Sequence, residues 1–348
     1  MERDFVLTCP LPITERKSIV MGHGSGGKLT AQLVHDLFLP AFDNQYLNKL
    51  DDQAVFQAGL ARLAFTTDSF VVTPLFFPGG NIGELAVNGT VNDLAMSGAK
   101  PLFLSAAFIM EEGFSMEELS RIVDSMARAA RAAGVAIVTG DTKVVNRGSA
   151  DKLFITTSGV GLLADGMTIS ATSARPGDEV IISGSIADHG MAVMSVREGL
   201  EFEGSILSDT APLHSLVEEM LRAGEVHTLR DPTRGGLATS LCEIALASSV
   251  GIEIDAKAVP VREDVKGACE ILGLDPLFVA NEGKLVALVP SGSTAAILQA
   301  MRQTAEGKEA RVIGRAVADH AGMVLLRTEI GGTRVLDLPF TEQLPRIC

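Results

Sequence analysis

The rhythm of apolar and polar positions divides the chain into alternating strands and helices. Apolar runs predict strands over 61–68, 102–110, 135–139 and 152–163, with a helix over 82–97 between the first two. A second helix is signalled by Ser115 and Glu118, which form a capping box. Its residues Leu119, Ile122, Val123, Met126 and Ala130 share one face, and Gly134 suits the left-handed position that ends it. Upstream, the stretch GHGSGGK from Gly22 to Lys28 feeds a helix over 29–39 that Pro40 should halt. After Arg175-Pro176-Gly177 the pattern restarts, with strands at 179–183, 252–255, 284–289, 311–318 and 323–328 and helices at 190–198, 213–223, 233–247 and 263–272. Two domains of similar size follow, over 45–170 and 175–333, preceded by an arm over 1–44 that carries the glycine-rich loop. The segment 337–348 has two prolines and neither period, which predicts an extended, mobile tail.

Length and charge narrow the function. At 348 residues the chain can bury two cores. An excess of 43 acidic over 29 basic residues, net −14, argues against nucleic acid or an anionic membrane surface as a partner. Cysteines at 9, 242, 269 and 348 include no close pair, so neither a C-x-x-C site nor a disulfide framework is expected, and a reducing cytoplasm fits. The acidic start MERDF lacks the apolar core of a leader, and no run reaches the roughly 18 apolar residues of a membrane span. With 35 glycines and no tryptophan, the interiors must be aliphatic and the turns many, which suits an α/β enzyme.

Several positions carry candidate chemistry. The Gly22–Lys28 stretch approaches the phosphate-cradling pattern, but Leu29 stands where a metal-binding hydroxyl belongs. What remains is an anion nest of Gly24, Ser25, Gly26 and Gly27 amides with the Lys28 charge, or else a plain flexible loop. Asp68, Asp93 and Asp141 each fall where an apolar element ends, so together they could hold Mg²⁺ against a triphosphate, with Asp51 or Asp52 as a fourth ligand; for any one of them alone a turn or cap role is the commoner fate. Asn92 and Asp93 are polar on an otherwise apolar helix and must face a polar cleft or bond backbone, the cleft being preferred. Gly140 precedes Asp141, and Lys143 shares a face with Asp141 on an extended segment. In DPTRGG, Asp231 is expected to cap a helix, and its glycines imply close approach of a ligand or of the other domain. Glu282 sits at a strand entrance. Cys348, the last residue, lies on a tail that can span on the order of 30 Å, the geometry of a swinging arm or of a chance terminal thiol.

Together GHGSGGKL, TTDSFVVTPLFFPGGNIGELAVNGTVNDLAMSGAKP, GDTKVV, DPTRGGLA, NEG and the terminal PRIC resemble the HypE family of hydrogenase maturation proteins, over nearly the whole chain. That family is similar to aminoimidazole ribonucleotide synthetase, selenophosphate synthetase and thiamine monophosphate kinase. The resemblance implies a two-domain α/β (α+β) aminoimidazole ribonucleotide synthetase-like architecture. It further implies an ATP- and Mg²⁺-dependent carbamoyl dehydratase, in which Cys348 receives a carbamoyl group from a carbamoyltransferase and the S-carboxamide becomes a thiocyanate. Cyanide then passes to an iron-carrying scaffold complex for [NiFe] hydrogenase. Asp51, Asp68, Asp93 and Asp141 would hold the metal. ATP would contact these with Gly24 to Lys28, Asp52, Asn92 and Gly140, while Lys143 and Glu282 handle protons and the first domain's sheet joins a homodimer. Two other readings stay open: a small-molecule kinase or synthetase of the same superfamily, and a non-catalytic thiol carrier.

Overall fold

The computed structural model describes residues 18–24, 26–200, 206–339, 344 and 346–348. Ser25 and the first 17 residues of the arm lie outside the described residues. From Lys28 the chain is helical as α1 (Lys28–Leu33), passes through a π-helical stretch (Val34–Phe38) and re-forms as α2 (Leu39–Phe42). Pro40 therefore does not halt the helix at residue 39. It falls in the first turn of α2, where its missing N–H is tolerated, and the wider π turn precedes it.

The first domain is a five-stranded sheet in the order β1-β2-β7-β5-β6, comprising β1 (Ala54–Ala58), β2 (Ala61–Phe70), β5 (Lys100–Glu111), β6 (Ala136–Val145) and β7 (Leu153–Leu163). A short hairpin, β3 (Phe76–Phe77) with β4 (Gly80–Asn81), leads into α3 (Ile82–Met96), and α4 (Met116–Ala132) packs on α3. Pairing is antiparallel except for β5 with β6. The capping box forms as expected, Ser115 Oγ accepting from the Glu118 N–H, and Gly134 is left-handed at φ +66°. Ile122, Met126 and Ala130 are buried as the periodicity demands, but Val123 is 44% exposed, at the rim of the helix's apolar face.

The second domain is a seven-stranded sheet in the order β14-β13-β10-β12-β8-β11-β9. Its strands are β8 (Asp178–Ile182), β9 (Thr228–Arg230), β10 (Gly251–Asp255), β11 (Val286–Pro290), β12 (Arg311–Val317), β13 (Val324–Arg327) and β14 (Thr333–Leu336). Helices α5 (Asp188–Arg197), α6 (His214–Ala223), α7 (Gly236–Ser248), α8 (Glu263–Leu272) and α9 (Ser291–Met301) cover it. The α7 start differs from expectation: Asp231 does not cap it, Gly235 does, at φ +78°. A Cβ on Gly236 would lie 2.6 Å from the Val279 carbonyl, so the close approach predicted for these glycines is made by the domain's own backbone. Among the described residues no helix is long and apolar enough to cross a membrane.

Helix α3 is the central element, buried along nearly its whole length between the first sheet, α4 and the second domain. Its approach to α4 depends on Gly83, where a Cβ would stand 2.4 Å from the Ile122 carbonyl oxygen. Gly83→Ala is expected to lower stability by about 1 to 3 kcal/mol through overpacking. Urea unfolding measures this, and an unchanged midpoint would mean that the helices can separate freely.

Candidate active site

The cleft between the domains gathers acid groups from five separate segments. β2 supplies Thr66 and Asp68, α3 supplies Asp93, and the turn before β1 supplies Asp52. The segment from β9 to α7 adds Arg230, Asp231 and Arg234, and the approach to β11 adds Glu282. Thr66 Oγ1 donates to Asp93 Oδ2 at 2.8 Å. Arg230 lies 3.3 Å from Asp52 and 2.6 Å from Glu243, and Arg234 lies 3.7 Å from Asp68.

Burial and mutual repulsion dominate the electrostatics. Burial pushes Asp231 up to about 7 and Asp52 up to about 6, against the pull of Arg230. Asp93 is held well above the usual carboxylate range by burial and then by the charges of Asp231, Asp68 and Asp52. Glu282 is raised for the same reasons, burial first, then Asp231, Asp68 and Asp209, and its Oε1 is buried without a hydrogen-bond partner. When ionised these carboxylates only accept hydrogen bonds and repel one another, which a divalent cation and the donors of a nucleotide would relieve. Among the described residues, no three His, Cys, Asp or Glu side chains stand close enough together to hold a metal as they are placed.

The structure separates some residues that the sequence grouped. Asp141 and Lys143 do not join Asp68 and Asp93. Because β6 pairs with β5 through Val145, they lie mid-strand on an exposed edge, ion-paired to each other at 2.9 Å, and Lys143 with Thr142 N–H holds Asp141 below the usual carboxylate range. Gly140 serves packing, since a Cβ there would be 2.2 Å from the Ala106 carbonyl. Asp51 is occupied as a brace, accepting from Ser170 Oγ and the Ala171 N–H. Asn92 bonds backbone and does not face the cleft: its Nδ2 donates to the carbonyls of Ala211 and Glu282, and its Oδ1 accepts from the Leu213 N–H.

The tail was expected to be extended and long enough to visit the cleft; in the structure its described last residues lie there. The Val71 N–H donates to the terminal oxygen of Cys348 and the Thr73 N–H to the Arg346 carbonyl, both at 3.1 Å, while Arg346 Nε donates back to the Val71 carbonyl. Leu344 and Ile347 are buried. The glycine loop holds the start of the same segment: Lys28 Nζ meets Asp337 at 2.5 Å, the Lys28 N–H donates to the Pro339 carbonyl, and a Cβ on Gly27 would collide with that carbonyl at 2.3 Å. Gly24 and Gly26 lie in the loop before α1. Cys348 thus comes to the acid cluster, and its negative charge is the largest influence keeping Arg234 protonated.

Matches to known proteins agree with this layout. The model of the AIR synthase related protein N-terminal domain matches residues 50–163, and that of its C-terminal domain residues 175–326. The carbamoyl dehydratase HypE of Azotobacter vinelandii is 54% identical over 332 residues, covering 95% of this chain and 97% of the relative. This chain belongs to the HypE family. A HypE structure in complex with ATP superposes with a TM-score of 0.81 at 49% identity, covering 95% of this chain and all of the other. A HypE–HypF complex gives 0.84 at 52% identity, covering 88% and 99%. The fold is therefore that of the AIR synthase superfamily, and the chain is an enzyme of the HypE carbamoyl dehydratase type. The sequence marked Asp68, Asp93 and Glu282 in the cleft, whereas Arg230 and Arg234 were passed over; Arg234 stands inside the DPTRGG motif that had been singled out.

Raised carboxyl pKa values make a pH dependence. Between about 4 and about 7 the folded protein binds more protons at these acids than the unfolded chain does, so this contribution to stability is present at low pH and lost as pH rises through the folded values. Asp93→Asn removes one of the repelling charges. It is expected to raise the melting temperature of the ligand-free protein at pH 8 and leave it nearly unchanged at pH 5, which calorimetry at the two pH values checks.

Proposed function

We propose that the enzyme uses ATP to dehydrate an S-carbamoyl group on its own Cys348 to a thiocyanate, which supplies cyanide for the iron of [NiFe] hydrogenase. The observation that carries this reading is the tail seated in the acid cleft with Cys348 beside Arg234. The same placement argues against a small-molecule kinase, whose substrate would need that space, and against a carrier without chemistry, which would need no buried Glu282.

An amide oxygen is a poor leaving group until phosphorylated. The carbamoyl oxygen attacks the γ-phosphorus, ADP departs, and the C–O bond then breaks as phosphate leaves and the C≡N bond closes. The oxygen leaves in the phosphate; one nitrogen proton ends on that phosphate and the other on Glu282. Burial suits Glu282 to keep a proton once taken. Arg234 balances the carboxylates beside the sulfur, and Lys28 with the Gly24–Gly27 loop covers the nucleotide and excludes water. Asp68 and Asp93, with Asp52 and Asp231 behind them, would hold Mg²⁺, which neutralises the triphosphate when bound.

Asp141 and Lys143 enter the reaction through a second copy of the chain. They lie on the open edge strand β6, which itself exposes Val138 and Val144, and the sheet face that carries them exposes Phe65, Phe103 and Ile109. Apolar exposure of that extent marks an interface. A homodimer joined there would bring both residues to the partner's cleft, with Lys143 as a charge on the transferring phosphoryl group. A carbamoyltransferase of the HypF kind loads Cys348, an iron-carrying scaffold complex accepts the cyanide, and the setting is the cytoplasm.

Mass spectrometry of protein carbamoylated at Cys348 should show loss of one water on addition of ATP and Mg²⁺. Glu282→Gln should slow that loss by about a hundredfold or more, in the range of general-base contributions, with nucleotide affinity retained. Persistence of the carbamoyl mass in the unaltered enzyme would refute the assignment. Val138→Arg should give monomers by light scattering with turnover lost; a monomer with full turnover would exclude Asp141 and Lys143.

A further inference from the structure

Two buried acceptor oxygens beside the acid cleft have no hydrogen-bond partner among the described residues. Asn88 lies on α3, 2% exposed, one turn before Asn92 and on the same face. Its Nδ2 donates to Thr210 Oγ1 at 3.3 Å, which leaves Oδ1 buried and unpaired. Glu282 is 3% exposed, and its Oε1 is unpaired likewise. The segment 208–211 ties the two residues together. Next to Thr210, Asp209 Oδ1 accepts from the Glu282 N–H at 3.0 Å, and the Ala211 carbonyl shares the Asn92 amide with the carbonyl of Glu282. Gly283 permits this approach, since a Cβ there would collide with the Asp209 carbonyl oxygen. The neighbours of Asn88 on α3 face the cleft contents: Val87 belongs to the core cluster against which Cys348 packs, and a Cβ on Gly89 would lie 4.0 Å from Asp68 Oδ2.

We propose that Asn88 is a substrate-contacting residue: its Oδ1 accepts one N–H of the S-carbamoyl group while Glu282 Oε1 accepts the other, so that two otherwise unpaired oxygens read the NH2 of the substrate. Burying an acceptor without a donor is costly, and a carbamoyl nitrogen carries two donors on one atom. The inference rests on the function given above and names what selects a carbamoyl group from other S-acyl groups. An acyl group without nitrogen protons leaves both oxygens unpaired, and a site built for N–H bonds rejects it on that ground. The thiocyanate has lost both protons too, so the same pair of oxygens favours the substrate over its product. Asn88 is neutral and takes no proton. It holds the N–H whose proton leaves with the phosphate, and Glu282 holds the N–H that it removes. Thr210 is a positioning residue, because its hydroxyl fixes which end of the Asn88 amide turns to the substrate.

The full-length enzyme is carbamoylated without ATP, using cyanate labelled with carbon-13 and nitrogen-15, and observed by NMR. The signals of Cys348 are those missing from the Cys348→Ser protein. Its two N–H protons should be resolved, both downfield of those in a free S-carbamoylated cysteine peptide. Asn88→Ala should return one of them to the free position and leave the other, and Thr210→Val, which keeps Oδ1 but releases the amide, should move the same one. Protons at the free position in the unaltered enzyme, or unmoved by both variants, overturn the proposal. A shift confined to the carbonyl carbon overturns it as well, since Asn88 would then donate to the carbamoyl oxygen. On addition of ATP and Mg²⁺, Asn88→Ala should lose water about tenfold more slowly at unchanged ATP affinity, the scale of one hydrogen bond. Water lost at the parent rate counts against the contact. An unaltered enzyme that never loses water, with the N–H response intact, would sink the function and leave this contact standing, so the two failures are distinguishable.

Discussion

The structure turns on one constraint: several carboxyl groups must be kept close together, away from water, without flying apart. Two arginines make this possible. Arg230 sits between Asp52 and Glu243, and Arg234 faces Asp68, and both are held protonated by those neighbours despite burial. A buried arrangement of this kind contributes little net stability, because desolvation offsets most of the attraction. Its value is as a poised field. Among the described residues the cleft is short of positive charge, and its carboxyl groups are held above their usual pKa range by burial and by one another.

That field depends on the way the domains are joined. Asp93 and Asn92 are neighbours on α3, yet they do different work. Asp93 looks into the cleft from Thr66, while Asn92 reaches across to three backbone groups of the second domain. One turn of helix thus fixes both the acid group and the spacing between the halves. Glu282 is set from the other side, its N–H on Asp209 and its carbonyl on Asn92, so its carboxyl has little freedom to swing away from the cluster.

What could be read from sequence and what could not follow the range of the interaction. Helix α4 was legible because Ser115, Glu118 and Gly134 act within one turn of its ends. Asp93 was legible because a carboxylate on an apolar helix needs a reason. Asp141 falls within β6 and not at its end because the length of β6 is set by its partner β5, and no local signal says where an edge strand stops. Asp51 and Asp52 looked alike as adjacent acids, and they part because one meets Ser170 and the other Arg230, both more than a hundred residues away. The seating of the tail had no local signal, because its backbone bonds to Val71, Thr73 and His189 and the burial of Leu344 and Ile347 involve segments more than a hundred residues away.

The kind of contact that holds the tail also determines how it can leave. The segment is held unevenly along its length. Its start is fastened by the Lys28 N–H on the Pro339 carbonyl and by an ion pair between Lys28 and Asp337 that is largely open to solvent, the latter worth at most about 1 kcal/mol. Its end is held more firmly, by Ile347 buried and by backbone bonds to Val71, Thr73 and His189. A strap tied loosely at its root and better at its tip can release by peeling from the root. Because Lys28 and Gly27 belong to the glycine-rich loop, that loop and the root of the tail are tied to each other, so a displacement of one must displace the other.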